Sequence, residues 1–304
     1  MKKCLFVLLF VFTSVSAQLT ENVFIIVIDG PRYSETYGDS NHTYIPNLWL
    51  ALRPQGILYT NFYNNGTTKT NSGHSSILSG TWQSIKNDGS EKPSMPTLFE
   101  CYRKQVDTSA SSCFVVLGKK KLDVLAYSTH PDYGYQYAAS VKYSEKEEDD
   151  CLTLENIKDV MQTYRPKLII ANFAGVDIAA HDEDFESYTN KLKIADSLMW
   201  VLWNLIQNDS IYQNKTTLFI TNDHGRHLDR IKTGFHDHGD DCEGCRHISL
   251  LILGPDTPAG VIDSTFYEQI DIAPTVAKLL KFEMPYSKGK IIESAFIKEK
   301  ILEE

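Results

Sequence analysis

The chain has 304 residues, of which 42% are hydrophobic, and a formal net charge of −9. This length allows one large domain with a sizeable core. The acidic balance argues against a nucleic-acid backbone as a natural partner, and an anionic substrate would need local cations such as bound metal ions.

The first residues have the layout of a secretory signal peptide. Two lysines precede an apolar run over residues 5–12, and small residues end at Ala17. We expect cleavage after Ala17, which leaves residues 18–304 as a single domain that is secreted or periplasmic. No later segment reaches about 18 consecutive apolar residues, so no membrane anchor is expected.

Short runs rich in β-branched residues predict buried strands at residues 23–28, 168–173, 217–221 and 249–253. They lack alternation of polar and apolar residues, as expected when both faces of a sheet are covered. Helical periodicity covers residues 185–207 and 270–280. Strands alternating with helices predict an α/β sandwich around a mostly parallel sheet. Residues from about 84 to 150 are interpreted as a small insertion that ends in an acidic stretch.

Polar residues follow several predicted strands directly. In open α/β sheets, sites form beyond the carboxyl ends of strands, so these residues are candidate ligands. Each alone also fits a helix cap, a turn or a helix-surface pair. Together they are carboxylates and imidazoles that suit Zn²⁺ or Mn²⁺, and they are numerous enough for two ions. They are Asp29, Asp177, His181, Asp223, His224 and the histidine-rich segment 235–239.

Residues 68–80 read Thr-Lys-Thr-Asn-Ser-Gly-His-Ser-Ser-Ile-Leu-Ser-Gly. This pattern predicts a helix that opens just after Thr70, with N–H groups able to receive phosphate oxygens. A Ser/Thr-rich helix cap is the alternative interpretation. Threonine is a weak nucleophile unless a metal ion activates its hydroxyl, so a catalytic Thr70 requires the predicted metals.

Five of the six cysteines follow the predicted signal peptide, and this odd number leaves at least one of them without a disulfide partner in the chain. Cys242-Glu-Gly-Cys245 has the spacing of a zinc knuckle, a redox pair or a small disulfide loop. The predicted export favours a disulfide or a plain structural role.

The order of these residues resembles the alkaline phosphatase superfamily, and in particular its nucleotide pyrophosphatase/phosphodiesterase branch. The most specific pieces are Thr-Asn-Asp-His-Gly at residues 221–225 and the segment that ends at Gly80. The resemblance spans about residues 23–289 and implies that residues 18–304 form an alkaline phosphatase-like catalytic domain.

The resemblance also implies two divalent metal ions, Zn²⁺ in the first instance and Mn²⁺ as the alternative. One ion would be held by Asp29, Thr70, Asp223 and His224. The second would be held by Asp177, His181 and a histidine of the 235–239 segment. We assign this last role to His238, because glycine follows it as in the phosphodiesterase branch, and His236 is the alternative.

The expected reaction is hydrolysis of small-molecule phosphate monoesters or diesters through a phosphothreonine on Thr70. Sulfatases of the superfamily place a Cys or Ser, a Pro and an Arg where this chain has Thr70, Ser72 and His74. Threonine cannot form the sulfatase aldehyde hydrate, so phosphate esters are favoured over sulfate esters. Asn87, or the nearer Asn71, would bind a phosphoryl oxygen.

An additional cation near the transferred group would favour monoesters. The lysines at 119–121, Arg226 and Arg246 are candidates, although a lysine run before a strand is more typical of a solvated surface. Alternative functions are a sulfatase-like hydrolase, a phosphotransferase or phosphomutase, and a metal-stabilised surface binding protein without turnover.

Overall fold

The computed structural model describes residues 18–297, so the predicted signal peptide lies outside the described residues. Its strands are β1 (Asn22–Ile28), β2 (Gly56–Tyr63), β3 (Cys113–Leu117), β4 (Ser140–Tyr143), β5 (Leu168–Phe173), β6 (Thr216–Thr221), β7 (His247–Leu253), β8 (Val261–Asp263) and β9 (Tyr267–Glu268). Its α-helices are α1 (Thr70–Ser79), α2 (Leu98–Val106), α3 (Asp150–Tyr164), α4 (Gly175–His181), α5 (Phe185–Asn208), α6 (Glu243–Arg246) and α7 (Ile272–Leu280).

All nine strands belong to one sheet, in the order β4-β3-β5-β1-β6-β7-β2-β8, with β9 also paired to β2. Strands β4, β3, β5, β1 and β6 run parallel to one another. Strand β7 is antiparallel to both of its neighbours, β6 and β2. The prediction of a mostly parallel sheet is therefore confirmed.

Helices cover both faces of the sheet, as the sequence of β1 illustrates. Its residues Val23, Ile25 and Val27 pack into the core that includes side chains of α1, α2 and α7. The alternate residues Phe24 and Ile26 pack into the second core, with side chains of α3, α4 and α5. Each such apolar side chain contributes about 1.5–3 kcal/mol when fully buried. Two covered faces explain why the strands are apolar throughout.

Residues 84–150, interpreted from sequence as an insertion, contain α2, β3 and β4. Strand β3 pairs with β4 on one side and with β5 on the other, so this range is part of the central sheet. None of the helices between residues 18 and 297 is long and apolar enough to span a membrane.

Candidate active site

The first predicted metal group lies beyond the carboxyl ends of two neighbouring strands. Asp29 follows β1 and the pair Asp223-His224 follows β6, and all three residues are fully buried. One ligand atom from each lies within 4.8 Å of the others. His224 Nε2 is 3.5 Å from Asp29 Oδ1 and 3.3 Å from Asp223 Oδ2. The parallel pairing of β1 with β6 brings these residues together, although about 190 positions separate them along the chain.

Thr70 is the first residue of α1 and is also buried. The first turn of this helix packs against Asp223. A Cβ atom at Gly73 would lie 2.5 Å from the Asp223 carbonyl oxygen and 3.0 Å from its Cβ, so only glycine allows this approach. The side chain of His74 continues the contact, because its Nδ1 is 3.3 Å from Asp223 Oδ2.

Four polar atoms of this group have no hydrogen-bond partner among the described residues: Asp29 Oδ1, Thr70 Oγ1, Asp223 Oδ2 and His224 Nε2. A buried polar atom without a partner costs about 1–3 kcal/mol. These atoms belong to the four residues predicted to hold the first metal ion. Two carboxylates, a hydroxyl and an imidazole form a donor set that suits a divalent cation such as Zn²⁺. The residues therefore fit the predicted ion.

The second predicted group consists of Asp177 and His181, which lie on α4 after β5, together with His238. His181 Nε2 and His238 Nε2 lie 3.4 and 3.5 Å from Asp177 Oδ1. His236 lies apart from this group, and its Nδ1 is 3.7 Å from Glu183 Oε1. The structure therefore places His238, and not His236, with Asp177 and His181.

A buried lysine joins the two groups. Lys119 follows β3, is 6% exposed, and places its Nζ 2.9 Å from Asp29 Oδ2. The same ammonium donates a hydrogen bond to Asp177 Oδ2. The interpretation of the lysine run as solvated is wrong for Lys119, although the next residue, Lys120, is exposed. The apolar run Cys113–Leu117, which forms β3 and ends two residues before Lys119, is the signal that could have placed this lysine at the carboxyl end of a strand.

Arg226 is the second buried cation of the site. Its guanidinium donates to Asp177 Oδ1 and, at 2.7 Å, to the carbonyl oxygen of His236. The N–H donors of a guanidinium group have a fixed planar geometry. Arg226 therefore holds Asp177 in a defined position relative to the segment that carries His238. Arg246, the other arginine considered from sequence, pairs instead with Asp241 at 3.7 Å.

A family model described as Sulfatase matches residues 118–282, which is more than half of the chain. The chain belongs to the sulfatase family. It is thus a sulfatase-like member of the alkaline phosphatase superfamily of hydrolases, whose enzymes use divalent metal ions. The matched range includes Lys119, Asp177, Asp223 and His238, but neither Asp29 nor Thr70. A comparison with curated proteins finds no match.

Solved structures share the fold of this sulfatase-family chain at low sequence identity. The lipoteichoic acid synthase LtaP from Listeria monocytogenes is 12% identical, with a TM-score of 0.67, over 88% of this chain and 73% of that one. The phosphonate monoester hydrolase SpPMH from Silicibacter pomeroyi is 13% identical, with a TM-score of 0.65, over 92% and 78%. The alkaline phosphatase PafA is 12% identical, with a TM-score of 0.69, over 93% and 100%.

Burial and charge set the protonation states of the candidate ligands in this sulfatase-family site. Burial lowers the pKa of His238 to about 4 and the pKa of His224 well below its ordinary value. Burial alone would raise the pKa of Asp177, but Lys119, His181 and Arg226 hold it well below its usual range. The imidazoles of His224 and His238 are therefore neutral and Asp177 is ionised near neutral pH, as metal ligands must be.

Two further side chains, His74 and Asn172, contact the ligands of the first metal group, and Asn172 was not identified from the sequence. Asn172, near the end of β5, donates from Nδ2 to Asp29 Oδ2 at 3.0 Å and lies 3.1 Å from His74 Nε2. The other ring nitrogen of His74, Nδ1, lies 2.9 Å from the Thr70 carbonyl oxygen. Such contacts fix the direction of ligand side chains.

The two asparagines proposed to bind phosphate have different surroundings. The side-chain amide of Asn71 is already engaged, because its Nδ2 donates to the Lys121 carbonyl oxygen at 3.1 Å. Asn87 lies at the N-terminus of α1, where its Oδ1 accepts a hydrogen bond from the Asn71 backbone N–H at 3.0 Å. This contact leaves the two N–H groups of the Asn87 amide as donors beside the first turn of α1. Asn87 is therefore the better-placed candidate.

Proposed function

We propose that this chain is an exported hydrolase of small-molecule phosphate esters that prefers monoesters. Thr70 would be the nucleophile. Asp29, Thr70, Asp223 and His224 would hold one divalent ion, and Asp177, His181 and His238 would hold the second. Zn²⁺ is the expected metal, since carboxylate and imidazole donors suit it and Thr70 needs activation.

The observation that carries the monoester preference is the buried ammonium of Lys119 between Asp29 and Asp177. The three carboxylates of the two metal groups already face two buried cations, Lys119 and Arg226. Two divalent ions would therefore give the site a clear excess of positive charge. A dianionic phosphate monoester balances that excess better than a singly charged diester or sulfate ester.

The chain's own residues account for most of the proposed reaction. Thr70 Oγ1 attacks phosphorus, a new P–O bond forms, and the alcohol leaves with its electron pair and gains a proton. Water then attacks the phosphothreonine, which releases phosphate and restores the Thr70 hydroxyl. When bound, the divalent ions would lower the pKa of the attacking hydroxyl and neutralise charge on the attacking and leaving oxygens.

Positioning of the phosphoryl group would fall to residues beside the start of α1. The Asn87 amide lies there, and the ammonium groups of Lys119 and Lys121 would be further donors. Burial, together with the nearby Lys119, lowers the pKa of Lys121, and the carboxylates of the site counter this effect. In phosphoryl transfer most of the rate acceleration comes from such positioning and charge stabilisation.

The test is a substrate comparison with metal-loaded mature protein: nitrophenyl phosphate, bis-nitrophenyl phosphate, a nitrophenyl phosphonate and nitrophenyl sulfate. We expect the highest kcat/KM for the monoester. Lys119→Met should lower kcat/KM for the monoester by about 100-fold and for the diester by less than about 10-fold. Lys120→Met, at the exposed neighbouring position, is the matched control and should change neither value.

Metal content must be measured for each variant, so that loss of Lys119 is not confused with loss of an ion. A higher kcat/KM for the diester, or equal losses for both esters in Lys119→Met, would contradict the monoester preference. Dominant activity on nitrophenyl sulfate would overturn the assignment to phosphate esters.

A further inference from the structure

A separate group of metal-binding side chains lies outside the candidate active site, in the segment that links β6 to β7. It consists of His227, Asp240, Cys242 and Cys245, and one donor atom from each lies within 4.8 Å of the others. His227 and Cys245 are buried, and Asp240 and Cys242 are half-buried. Both cysteines are free thiols. Four such donors around a tetrahedral zinc ion lie roughly 3.5 Å apart, so the group has the right size.

His227 supplies independent evidence for a ligand. It is 4% exposed, and its Nε2 has no hydrogen-bond partner among residues 18–297. Its other ring nitrogen, Nδ1, lies 2.9 Å from Thr233 Oγ1. If Nδ1 carries the proton and donates to Thr233, Nε2 presents a lone pair toward Asp240 Oδ2, which is 3.3 Å away. A hydrogen bond on the far nitrogen is the usual way in which a metal-bound histidine is oriented.

The Cys-Glu-Gly-Cys turn is shaped so that both thiols belong to this group. The Cys242 carbonyl oxygen accepts hydrogen bonds from the backbone N–H groups of Cys245 and Arg246, each at 3.1 Å. Asp240 Oδ1 accepts from the Cys242 backbone N–H at 3.0 Å, which leaves Oδ2 for another partner. Lys232 is that partner in this structure, through a side chain that is 61% exposed.

We propose that this group binds a structural zinc ion through Cys242 Sγ, Cys245 Sγ, His227 Nε2 and Asp240 Oδ2. Two thiolates select zinc over Mg²⁺ or Ca²⁺, and four protein ligands leave no open position for a substrate. The third ion is distinct from the two predicted at the active site, whose ligands include no sulfur.

The structural ion would hold the segment that carries a catalytic ligand. His238 lies between His227 and Asp240 in the chain, so the ion would fix this segment on both sides of His238. The Asp240 carbonyl oxygen accepts from Thr68 Oγ1 at 2.6 Å, and His238 Nδ1 lies 2.8 Å from the Thr68 carbonyl oxygen. Thr68 precedes the proposed nucleophile by two residues. The Cys245 carbonyl oxygen also accepts a hydrogen bond from the backbone N–H of Gly225 at 2.8 Å. Gly225 is the residue that follows His224 in the chain.

The test is cobalt substitution in the full mature chain. Thiolate bound to Co²⁺ gives an intense charge-transfer absorption in the near ultraviolet, whereas carboxylate and imidazole ligands do not. We expect this band in the wild type and its loss in Cys242→Ser and Cys245→Ser. Cys151→Ser, which removes an exposed cysteine outside the group, should keep the band in full. Zinc content should be about three ions per chain in the wild type and about two in Cys245→Ser.

The wild-type spectrum decides the question even if a cysteine variant fails to fold. Absence of the band from correctly folded Co²⁺-loaded wild type would overturn the proposal. A Cys242–Cys245 disulfide in protein purified without reductant, detected as a mass lower by two hydrogen atoms, would also overturn it. Neither readout depends on enzyme activity, so failure here is distinguishable from failure of the proposed phosphoester hydrolysis.

Discussion

The imidazole rings of His224 and His238 stack with their centroids 3.7 Å apart and their planes 13° from parallel. The two residues belong to different metal groups, so this ring stacking brings the two groups into direct contact. His238→Ala should therefore remove one predicted ligand of the second ion and loosen the neighbouring first group. We expect the bound metal to fall by about one ion per chain and kcat/KM to fall by about 100-fold or more.

His236→Ala is the matched control for this substitution. The His236 side chain faces Glu183, and only its backbone carbonyl oxygen contacts Arg226. Metal content by elemental analysis and kcat/KM should therefore both stay close to the wild type. If His236→Ala lost an ion and His238→Ala did not, the assignment of the second metal group would be wrong.

Replacement of the nucleophile should separate metal binding from turnover. In Thr70→Ala the carboxylates and imidazoles of both groups remain, so the ions should stay bound while the covalent intermediate cannot form. We expect acid-quenched wild type to carry a phosphoryl group at residue 70 by mass spectrometry and Thr70→Ala to carry none. Thr70→Ser keeps a hydroxyl and should retain the adduct. Turnover that is unchanged in Thr70→Ala would show that another residue is the nucleophile.

Gly30 occupies a place where the site leaves no room for a side chain. Its φ is +65°, and a Cβ atom there would lie 2.8 Å from Asp177 Oδ1 and 3.0 Å from His224 Cε1. Gly30→Ala should therefore displace ligands of both metal groups and reduce metal affinity by at least about 10-fold. The measurement is competition for Zn²⁺ with a chromogenic chelator.

Gly260 offers a control with a similar backbone and open surroundings. Its φ is +72°, and a Cβ atom would meet only the Pro54 carbonyl oxygen, at 3.7 Å. Gly260→Ala should lower the free energy of unfolding by about 1–2 kcal/mol through backbone strain, with metal affinity unchanged. Equal metal affinities in the two variants would mean that contact with Asp177 and His224 is unimportant.

The sequence predicts the sheet and the strand-end ligands because both depend on local patterns. Apolar runs mark β1, β5, β6 and β7. Asp29 follows β1 directly, and Asp223 lies two residues after the end of β6. Parallel strands carry such residues to one edge of the sheet, whatever their separation along the chain. The short strand β3 escaped prediction, and with it the place of residues 84–150 in the sheet.

The sequence alone could not resolve features that depend on packing between distant segments. Three consecutive lysines give no indication that Lys119 is buried and Lys120 exposed. The difference arises because β3 pairs with β5, which pairs with β1, so the Lys119 side chain reaches Asp29 at the end of β1. The contact between His74 and Asn172 joins residues 98 positions apart. The sequence favoured His238 over His236 only through the resemblance. The contacts that separate them appear in the structure, where His238 Nε2 is 3.5 Å from Asp177 Oδ1 and His236 Nδ1 is 3.7 Å from Glu183 Oε1.

Asp150 gives a pH-dependent prediction away from the metal ligands. This first residue of α3 is 2% exposed. Its Oδ1 accepts a hydrogen bond from the Gly175 N–H at 3.1 Å, whereas its Oδ2 has no hydrogen-bond partner in the described part of the chain. Burial raises the pKa of Asp150 from 3.8 to about 6. The folded state therefore binds more protons than the unfolded state between these values, and stability falls as pH rises through the window.

Above pH 6 the buried charge of Asp150 lowers the free energy of unfolding by on the order of 2–3 kcal/mol. Asp150→Asn cannot ionise and keeps an acceptor for Gly175. Relative to the wild type, it should gain about 2–3 kcal/mol of unfolding free energy between about pH 4 and about pH 7.5, as measured by urea denaturation. Asp149→Asn, which keeps the cap of α3 at a less buried position, should gain far less. Only ionisation of Asp150 makes the difference in unfolding free energy between Asp150→Asn and the wild type grow with pH. If that difference were constant with pH, Asp150 would not titrate in this window.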